Sequence, residues 1–89
     1  MVKLSVLYGP PSDLEAFERH YVDTHVPLID KIPYLQRFEA GRVIGTLDGA
    51  EPPYYRIAEL WFDGQAALGD ALASPEGQAT VADVSNFAS

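Results

Sequence analysis

The chain has 89 residues and a mass of 9.7 kDa, which fits one compact domain over residues 1–89 and not two. Thirteen acidic and six basic side chains give a net charge of −7, which argues against duplex DNA or an anionic membrane as the main partner, because both are polyanions. The absence of cysteine excludes disulfides, thiolate nucleophiles and cysteine-based zinc sites.

The first third of the chain predicts a strand and a helix. Residues 2–8 alternate between apolar and other side chains, as a strand with one apolar face does, and a Gly-Pro-Pro sequence ends them. Residues 12–15 have the pattern of a capping box with Ser12 as the N-cap. Pro27 disfavours helical geometry at the residue before it, so we expect a kink or break there. The helix carries one apolar stripe, formed by Leu14, Phe17, Tyr21, His25 and Leu28.

The rest of the chain predicts two strands and a helix in two pieces. The strands cover residues 35–44 and 54–62, and the second has large apolar groups on both faces, as a strand covered on both sides has. One face of that strand carries Tyr55, Ile57, Glu59 and Trp61. Asp63 is the predicted cap of a helix through residue 73, and Ser74-Pro75-Glu76 begins a second helix.

This order, β-α-β-β-α, is the ferredoxin-like order without a predicted final strand. The alternatives are a truncated sequence, a partner element that covers this edge of the sheet, and an exposed edge. It predicts the α+β class, with the helices on one face of a mostly antiparallel sheet. Because the second face of the sheet is apolar too, we expect a second copy of the chain to cover it in a homodimer.

Several motifs follow one another along the chain: Phe17-x-x-x-Tyr21-x-x-x-His25-x-Pro27-Leu28, Pro33-x-Leu35, Tyr55-x-Ile57-Ala58-Glu59-Leu60-x-Phe62-Asp63, Ser74-Pro75-Glu76 and Asp83-x-x-x-Phe87. Together they resemble the EthD family, which is named after a protein required for degradation of ethyl tert-butyl ether. The resemblance covers nearly the whole chain. It implies a dimeric α+β barrel, related in fold to muconolactone isomerases, small polyketide monooxygenases and haem-degrading monooxygenases. The family continues past the position of Phe87 into a last strand.

His25, Tyr21 and Asp83 are the candidate catalytic residues. His25 lies on the apolar stripe, and an imidazole can act as a general base or acid near neutral pH. Tyr21 is one helical turn away, and Asp83 can reach His25 from the last helix and fix the tautomer of its ring. The alternatives are a structural histidine in the core, a tyrosine with its hydroxyl at the rim and a solvated helix acid.

Aromatic side chains are the candidate lining of a pocket for an apolar ligand, and interface packing is the alternative. They are Trp61, Tyr55, Phe38 and Phe17. Glu59 is expected to bind Arg37, Arg42 or Arg56, as an interface ion pair or a substrate-binding carboxylate. His20 lies off the stripe and is expected to be exposed. Because it is five residues from His25 rather than four, a metal-binding pair on this helix is disfavoured, and no metal site is predicted.

The sequence leaves two functions open. The first is a homodimer that binds a small apolar or aromatic, oxygen-bearing molecule of catabolic or polyketide-type metabolism, with cofactor-free isomerase, lyase or oxygenase chemistry if His25 acts as a base. The second is a non-catalytic dimerisation or ligand-carrier module. Haem binding through His25 follows from fold analogy alone, and no cofactor is predicted.

No apolar run approaches the roughly 20 residues that span a bilayer and no signal peptide is recognisable, so we expect a cytoplasmic protein.

Overall fold

The computed structural model of the protein describes residues 1–88, and it confirms the α+β class and the predicted element order. The first layer is a three-stranded antiparallel sheet in the order β1-β3-β2, and the helices pack on one of its faces. The elements are β1 (Val2–Tyr8), α1 (Leu14–His20), a π-helical turn (Tyr21–His25), α2 (Val26–Asp30), β2 (Arg37–Arg42), β3 (Arg56–Phe62), α3 (Gln65–Ala73) and α4 (Pro75–Phe87).

Strand β3 lies in the centre of the sheet and separates its two faces. Ala58, Leu60 and Phe62 point towards the helices and are buried, whereas Ile57 and Trp61 point away and are half-buried. In the register of the sheet, Tyr8 of β1 lies opposite Arg56, and Arg37 of β2 lies opposite Trp61. The period of two along β3 therefore agrees with the sequence, and it gives the sheet one face against the helices and one without them.

Both later strands are shorter than predicted, and the alternation fails at Tyr55. This residue precedes β3, where its N–H donates to the carbonyl of Tyr8 at 2.7 Å. Its hydroxyl donates to Glu18 at 2.6 Å, and its ring packs edge-on against Phe17. The prediction that Tyr55 shares a face with Trp61 was wrong, because the chain turns here and aims Tyr55 at α1.

Two of the three predicted helix caps move by one residue. Asp13, rather than Ser12, caps α1 and accepts a hydrogen bond from the Ala16 N–H at 3.0 Å. Gly64, rather than Asp63, precedes α3 in extended backbone. The Ser74 cap of α4 is confirmed, because its hydroxyl accepts from the Gly77 N–H at 3.0 Å and proline follows at the first helical position.

Pro27 is accommodated by the π-helical turn rather than by a break in the helix. The Val26 N–H donates to the carbonyl of Tyr21, five residues earlier, and α2 continues directly from this turn. A proline in a regular helix removes one hydrogen bond and its ring collides with the carbonyl four residues before it. The wider turn avoids that collision, and it brings residues five apart onto the same side of the helix.

Helices α3 and α4 pack closely against each other at Gly77. A Cβ atom at this position would lie 2.0 Å from the carbonyl oxygen of Ala71. Glycine is therefore required here by the space between the two helices. This packing sets how α4 lies against the rest of the core, and α4 carries Asp83.

The face of the sheet without helices, called the open face below, mixes apolar and charged side chains. The Glu59 carboxylate accepts from Lys3 at 2.6 Å, so the predicted pairing of Glu59 with Arg37, Arg42 or Arg56 was wrong. Arg56 lies on the other face and binds Glu18. The members of the open face are Lys3, Ser5, Leu7, Arg37, Glu39, Gly41, Ile57, Glu59 and Trp61.

Over residues 1–88, no helix is long and apolar enough to cross a membrane.

Candidate functional site

His25 ends the π-helical turn and is buried, with 2% of its surface exposed. Its Nδ1 atom lies 2.9 Å from Oδ2 of Asp83, on α4. The structure therefore places Asp83 against His25, as the sequence predicted. The predicted alternative of a solvated Asp83 does not apply, since only 7% of this residue is exposed.

The Asp83 carboxylate accepts hydrogen bonds from three side chains. Besides His25, the Nε2 atom of His20 lies 2.9 and 3.1 Å from its two oxygens, and the amide of Asn86 donates at 3.0 Å. Burial alone would raise the pKa of Asp83, but the hydrogen bonds from Asn86, His20 and His25 outweigh it and lower this pKa to about 2. Asp83 is therefore a carboxylate at neutral pH and can only accept hydrogen bonds.

The charge of Asp83 fixes the tautomer of His25. Because the carboxylate has no proton to give, Nδ1 of His25 must carry a proton and donate it. In the neutral ring, Nε2 then holds the lone pair. The nitrogen of His25 that can accept a proton, Nε2, therefore lies on the side of the ring away from Asp83.

Tyr8, which the sequence did not single out, lies beside that second nitrogen. The Tyr8 hydroxyl lies 3.4 Å from Nε2 of His25, a long hydrogen bond. Burial and the nearby Tyr21 raise the pKa of Tyr8, so the hydroxyl keeps its proton and can donate it. The alternation along β1 places Tyr8 on the helix side of the sheet, but it does not tell which helical residue the hydroxyl meets.

A cavity of about 60 Å³ lies between the sheet and the helices, beside these two groups. Its polar corner is made by His25 and Tyr8, and the rest of its lining is almost entirely aliphatic. Val81 is the one exposed residue of this lining, with 60% of its surface accessible. The aliphatic lining comes from Leu4, Val6, Ile29, Ile32, Ala58, Leu60, Leu72, Val81 and Val84.

Tyr21 is a neighbour of His25, as predicted, but it does not line this cavity. The centres of the two rings are 5.6 Å apart, and Tyr21 is 1% exposed. The guanidinium of Arg56 lies over its ring, 4.6 Å from the centre. Its hydroxyl has no hydrogen-bond partner among residues 1–88. Beside Nε2 of His25, Tyr8 therefore occupies the place that the sequence predicted for Tyr21.

The four aromatic residues predicted to line a ligand pocket do not line one common pocket, although Phe17 and Tyr55 are in contact. Trp61 lies on the open face, between the cations of Lys3 and Arg37, which are 5.8 and 5.1 Å from its ring centre. Phe17, Phe38 and Tyr55 pack on the helix side, where Phe17 is a core residue. None of the four lines the cavity at His25. The sheet itself separates Trp61 from the other three.

His20 is not the exposed side chain that the sequence predicted. Its ring is 29% exposed, bonds to Asp83 and stacks on Phe87 with a centre-to-centre distance of 5.2 Å. The prediction failed because it assumed a regular helix, in which residues 20 and 25 point in different directions. The π-helical turn brings both rings to the same carboxylate. Within residues 1–88, no group of three or more His, Asp or Glu side chains could hold a metal ion.

Comparisons with known proteins agree with this fold. A family model described as EthD domain matches residues 9–89. A protein of Rhodococcus erythropolis, described as an uncharacterized 11.0 kDa protein in the thcB-thcC intergenic region, is 47% identical over 89 residues, which are 100% of this chain and 85% of that protein.

Solved structures show the same likeness. A crystal structure of an ethyl tert-butyl ether degradation (EthD) family protein from Bacillus halodurans superposes with a TM-score of 0.91 at 38% identity, covering 97% of this chain and 85% of that one. A dimeric ferredoxin-like protein of unknown function from Thermobifida fusca superposes with a TM-score of 0.70 at 15% identity, covering 98% of this chain and 79% of that one. The second likeness shows the fold alone.

Proposed function

Because the chain belongs to the EthD family, and because its buried histidine borders an apolar cavity, we propose that the protein binds a small, mainly apolar molecule bearing an oxygen. The observation that carries this proposal is the geometry of His25. Asp83 holds one side of the ring, and Nε2 is left for the cavity, next to the Tyr8 hydroxyl.

The lining of the cavity defines the class of ligand. Its aliphatic walls favour an apolar body, which gains free energy when it leaves water. Its one polar corner supplies a hydroxyl donor from Tyr8 and a lone pair on His25, which suit a carbonyl oxygen and an acidified C–H or O–H proton. A volume of about 60 Å³ admits only a small group, so part of a larger ligand would lie beside Val81, the exposed residue of the lining.

The same groups can catalyse proton transfer. His25 would take a proton from the carbon beside a carbonyl group, while the Tyr8 hydroxyl donates a hydrogen bond to the oxygen that becomes negative. The Asp83 carboxylate stabilises the imidazolium that forms. The carbanion that forms has three possible fates. Return of the proton to another carbon is an isomerisation, and loss of a leaving group is a lyase reaction. Oxygenation of the carbanion would need dioxygen as a co-substrate. Catabolic or polyketide-type metabolism offers such substrates.

We also propose that two copies pair through their open faces. Leu7, Ile57 and Trp61 form an apolar strip on this face. Two ion pairs lie beside the strip, one between Lys3 and Glu59 and one between Arg37 and Glu39. A domain of this length buries a small core and gains stability when it covers such a strip. The same strip supports the second candidate function, a dimerisation or carrier module without catalysis. A cytoplasmic location remains a prediction.

The ligand-binding proposal is tested with cyclopentanone, a small ring with one carbonyl oxygen, and with cyclopentane as its matched apolar control. In NMR titrations, cyclopentanone should shift the signals of Leu4, Ile29 and Val84 in the cavity. His25→Gln and the cavity-filling Val84→Phe should each weaken this binding, and cyclopentane should bind less well than the ketone. Shifts scattered over the surface, or equal binding by the His25→Gln protein, would contradict the proposal.

Deuterium exchange distinguishes the two candidate functions, a catalytic protein and a ligand carrier. In heavy water, a base in the cavity should replace the protons beside the carbonyl of bound cyclopentanone by deuterium, which is followed by NMR. The wild-type protein should accelerate this exchange over buffer by at least about tenfold, and His25→Gln should abolish most of the gain. Binding without faster exchange would support the carrier function instead.

A further inference from the structure

A second histidine shares the carboxylate that holds the candidate base. His20 and His25 each place a ring nitrogen 2.9 Å from an oxygen of Asp83, on either side of this one negative charge. His25 faces the inner cavity, whereas His20 lines an outer depression of about 210 Å³ between the start of α1 and the end of α4. The ring of His25 is thus buried, whereas the ring of His20 is partly exposed to solvent.

We propose that His20 is a positioning residue that controls the base: when His20 is protonated at the surface, the shared Asp83 carboxylate is neutralised and His25 becomes a weaker base. The consequence for activity rests on the proposed function, but the coupling between the two rings does not. It would make the site responsive to the pH outside the cavity through a group that never touches the ligand.

The Asp83 carboxylate carries too little charge to balance two protonated rings. One carboxylate can compensate one imidazolium, so a second imidazolium on the same group leaves a net positive charge. Asn86 donates a third hydrogen bond to Asp83, so this carboxylate has little capacity left for a further donor. Because Asp83 is 7% exposed, water screens the interaction between the two rings only weakly.

The other groups around the two rings do not replace Asp83. From β1, the Tyr8 hydroxyl faces His25, and Tyr21 lies beside it under the Arg56 guanidinium. From α4, Phe87 packs against both rings. Around His20, the surface depressions also contain Asp13, Arg19 and Asp23. These exposed side chains are well screened by solvent, so their effect on the rings is small beside that of the shared carboxylate.

The π-helical turn is what makes this arrangement possible. In a regular helix, side chains five positions apart diverge, and only one of the two rings would reach α4. Here the hydrogen bond from Val26 to Tyr21 widens the turn that lies between them. A feature that accommodates Pro27 therefore also joins a surface histidine to a buried one, and π-helical turns are frequent at functional sites.

The test is an NMR titration of both histidine rings in the protein without ligand. Glutamine at position 20 keeps a hydrogen-bond donor but cannot become charged, so His20→Gln should raise the midpoint of the His25 titration by about half a pH unit or more. Since the coupling is reciprocal, His25→Gln should raise the midpoint of His20, and the ring that titrates second in the wild type should respond more. A rise in either ring supports the coupling.

Arg19→Gln is the matched control, since it removes an exposed charge next to His20 without touching Asp83. It should move either midpoint by less than about 0.2 pH unit. Midpoints that stay unchanged in both His20→Gln and His25→Gln, in proteins that remain folded by circular dichroism, would overturn the inference. Because no ligand is present, this failure is distinct from a failure of the cavity to bind cyclopentanone.

Discussion

Nδ1 of His25 and Oδ2 of Asp83 lie 2.9 Å apart although 58 residues separate them along the chain. The contact depends on how α4 packs against α2 and the π-helical turn, so it links the candidate site to the core of the fold. It sets which nitrogen of His25 carries the proton, and thereby which nitrogen can act on a ligand.

Asp83→Asn should destabilise the protein, because it replaces charge-assisted hydrogen bonds with weaker ones and places an amide against two ring donors. We expect a loss of about 2 kcal/mol in the free energy of unfolding at neutral pH, measured by urea denaturation. Asp70→Asn, at an exposed position of α3, is the control and should change little. Equal stability of the Asp83→Asn and wild-type proteins would show that this hydrogen-bond network is not structural.

The stability that Asp83 contributes should depend on pH in one direction. Its pKa is lowered from 3.8 to about 2 in the folded protein, so the unfolded chain binds this proton more readily. The contribution is therefore complete above about pH 4 and disappears as the pH falls towards about 2. The difference in unfolding free energy between wild type and Asp83→Asn should shrink over this interval; a difference that grew as the pH fell would contradict the account.

Tyr8→Phe should separate ligand binding from stability. The hydroxyl is 3.4 Å from Nε2 of His25, so its removal should cost less than about 1 kcal/mol of stability. If this hydroxyl donates to the ligand oxygen, cyclopentanone binding should fall several-fold in the same variant. Tyr54→Phe, at an exposed tyrosine, should leave both properties unchanged. Undiminished binding by the Tyr8→Phe protein would exclude Tyr8 from the site.

Gly77→Ala should be strongly destabilising although alanine favours helices. The added methyl group would lie 2.0 Å from the Ala71 carbonyl oxygen, so α3 and α4 must separate. We expect a loss of about 2 kcal/mol or more, and a melting temperature lower by about 8 °C or more. Gly69→Ala is the matched control within α3, where the methyl group meets nothing within 4 Å, and it should stabilise by up to about 1 kcal/mol. Equal changes in stability for Gly77→Ala and Gly69→Ala would contradict the close contact between α3 and α4.

Leu7→Glu should disrupt the proposed dimer. Leu7 lies on the open face, 48% exposed, and a carboxylate there would be costly to bury against a second copy. Sedimentation equilibrium should show a dimer for the wild type and a monomer for this variant. Leu14→Glu removes a leucine of similar exposure, 50%, on α1, away from the open face, and should remain dimeric. A wild-type protein that sediments as a monomer would contradict the pairing of open faces.

The sequence predicted most of the fold because its local signals agree with the packing. Alternating side chains marked β1, and the Ser74-Pro75-Glu76 start of α4 is confirmed by its cap. The errors at the helix starts are shifts of one residue, since neighbouring Ser12 and Asp13 can both cap a helix and only the backbone geometry decides between them. Tyr55 was placed on the wrong face, because a strict period of two cannot foresee where the chain turns before a strand.

The site was less predictable, because it depends on contacts between distant segments. The apolar helical stripe singled out His25, and packing of both helices on one face of the sheet made Asp83 its expected partner. Nothing local indicated that Pro27 would produce a π-helical turn rather than a kink, and so the role of His20 was missed. Tyr8 was missed for a related reason: β1 fixes the face on which it lies, but the register between sheet and helices selects His25 as its neighbour.

A crystal structure of the protein soaked with cyclopentanone tests the central claim most directly. We predict that the ketone occupies the cavity between Leu4, Ile29 and Val84, with its oxygen within hydrogen-bond distance of the Tyr8 hydroxyl and a ring carbon facing Nε2 of His25. A cavity closed by its own side chains, with the ketone absent or bound only on the outer surface, would contradict the account and leave His25 as a structural residue of the core.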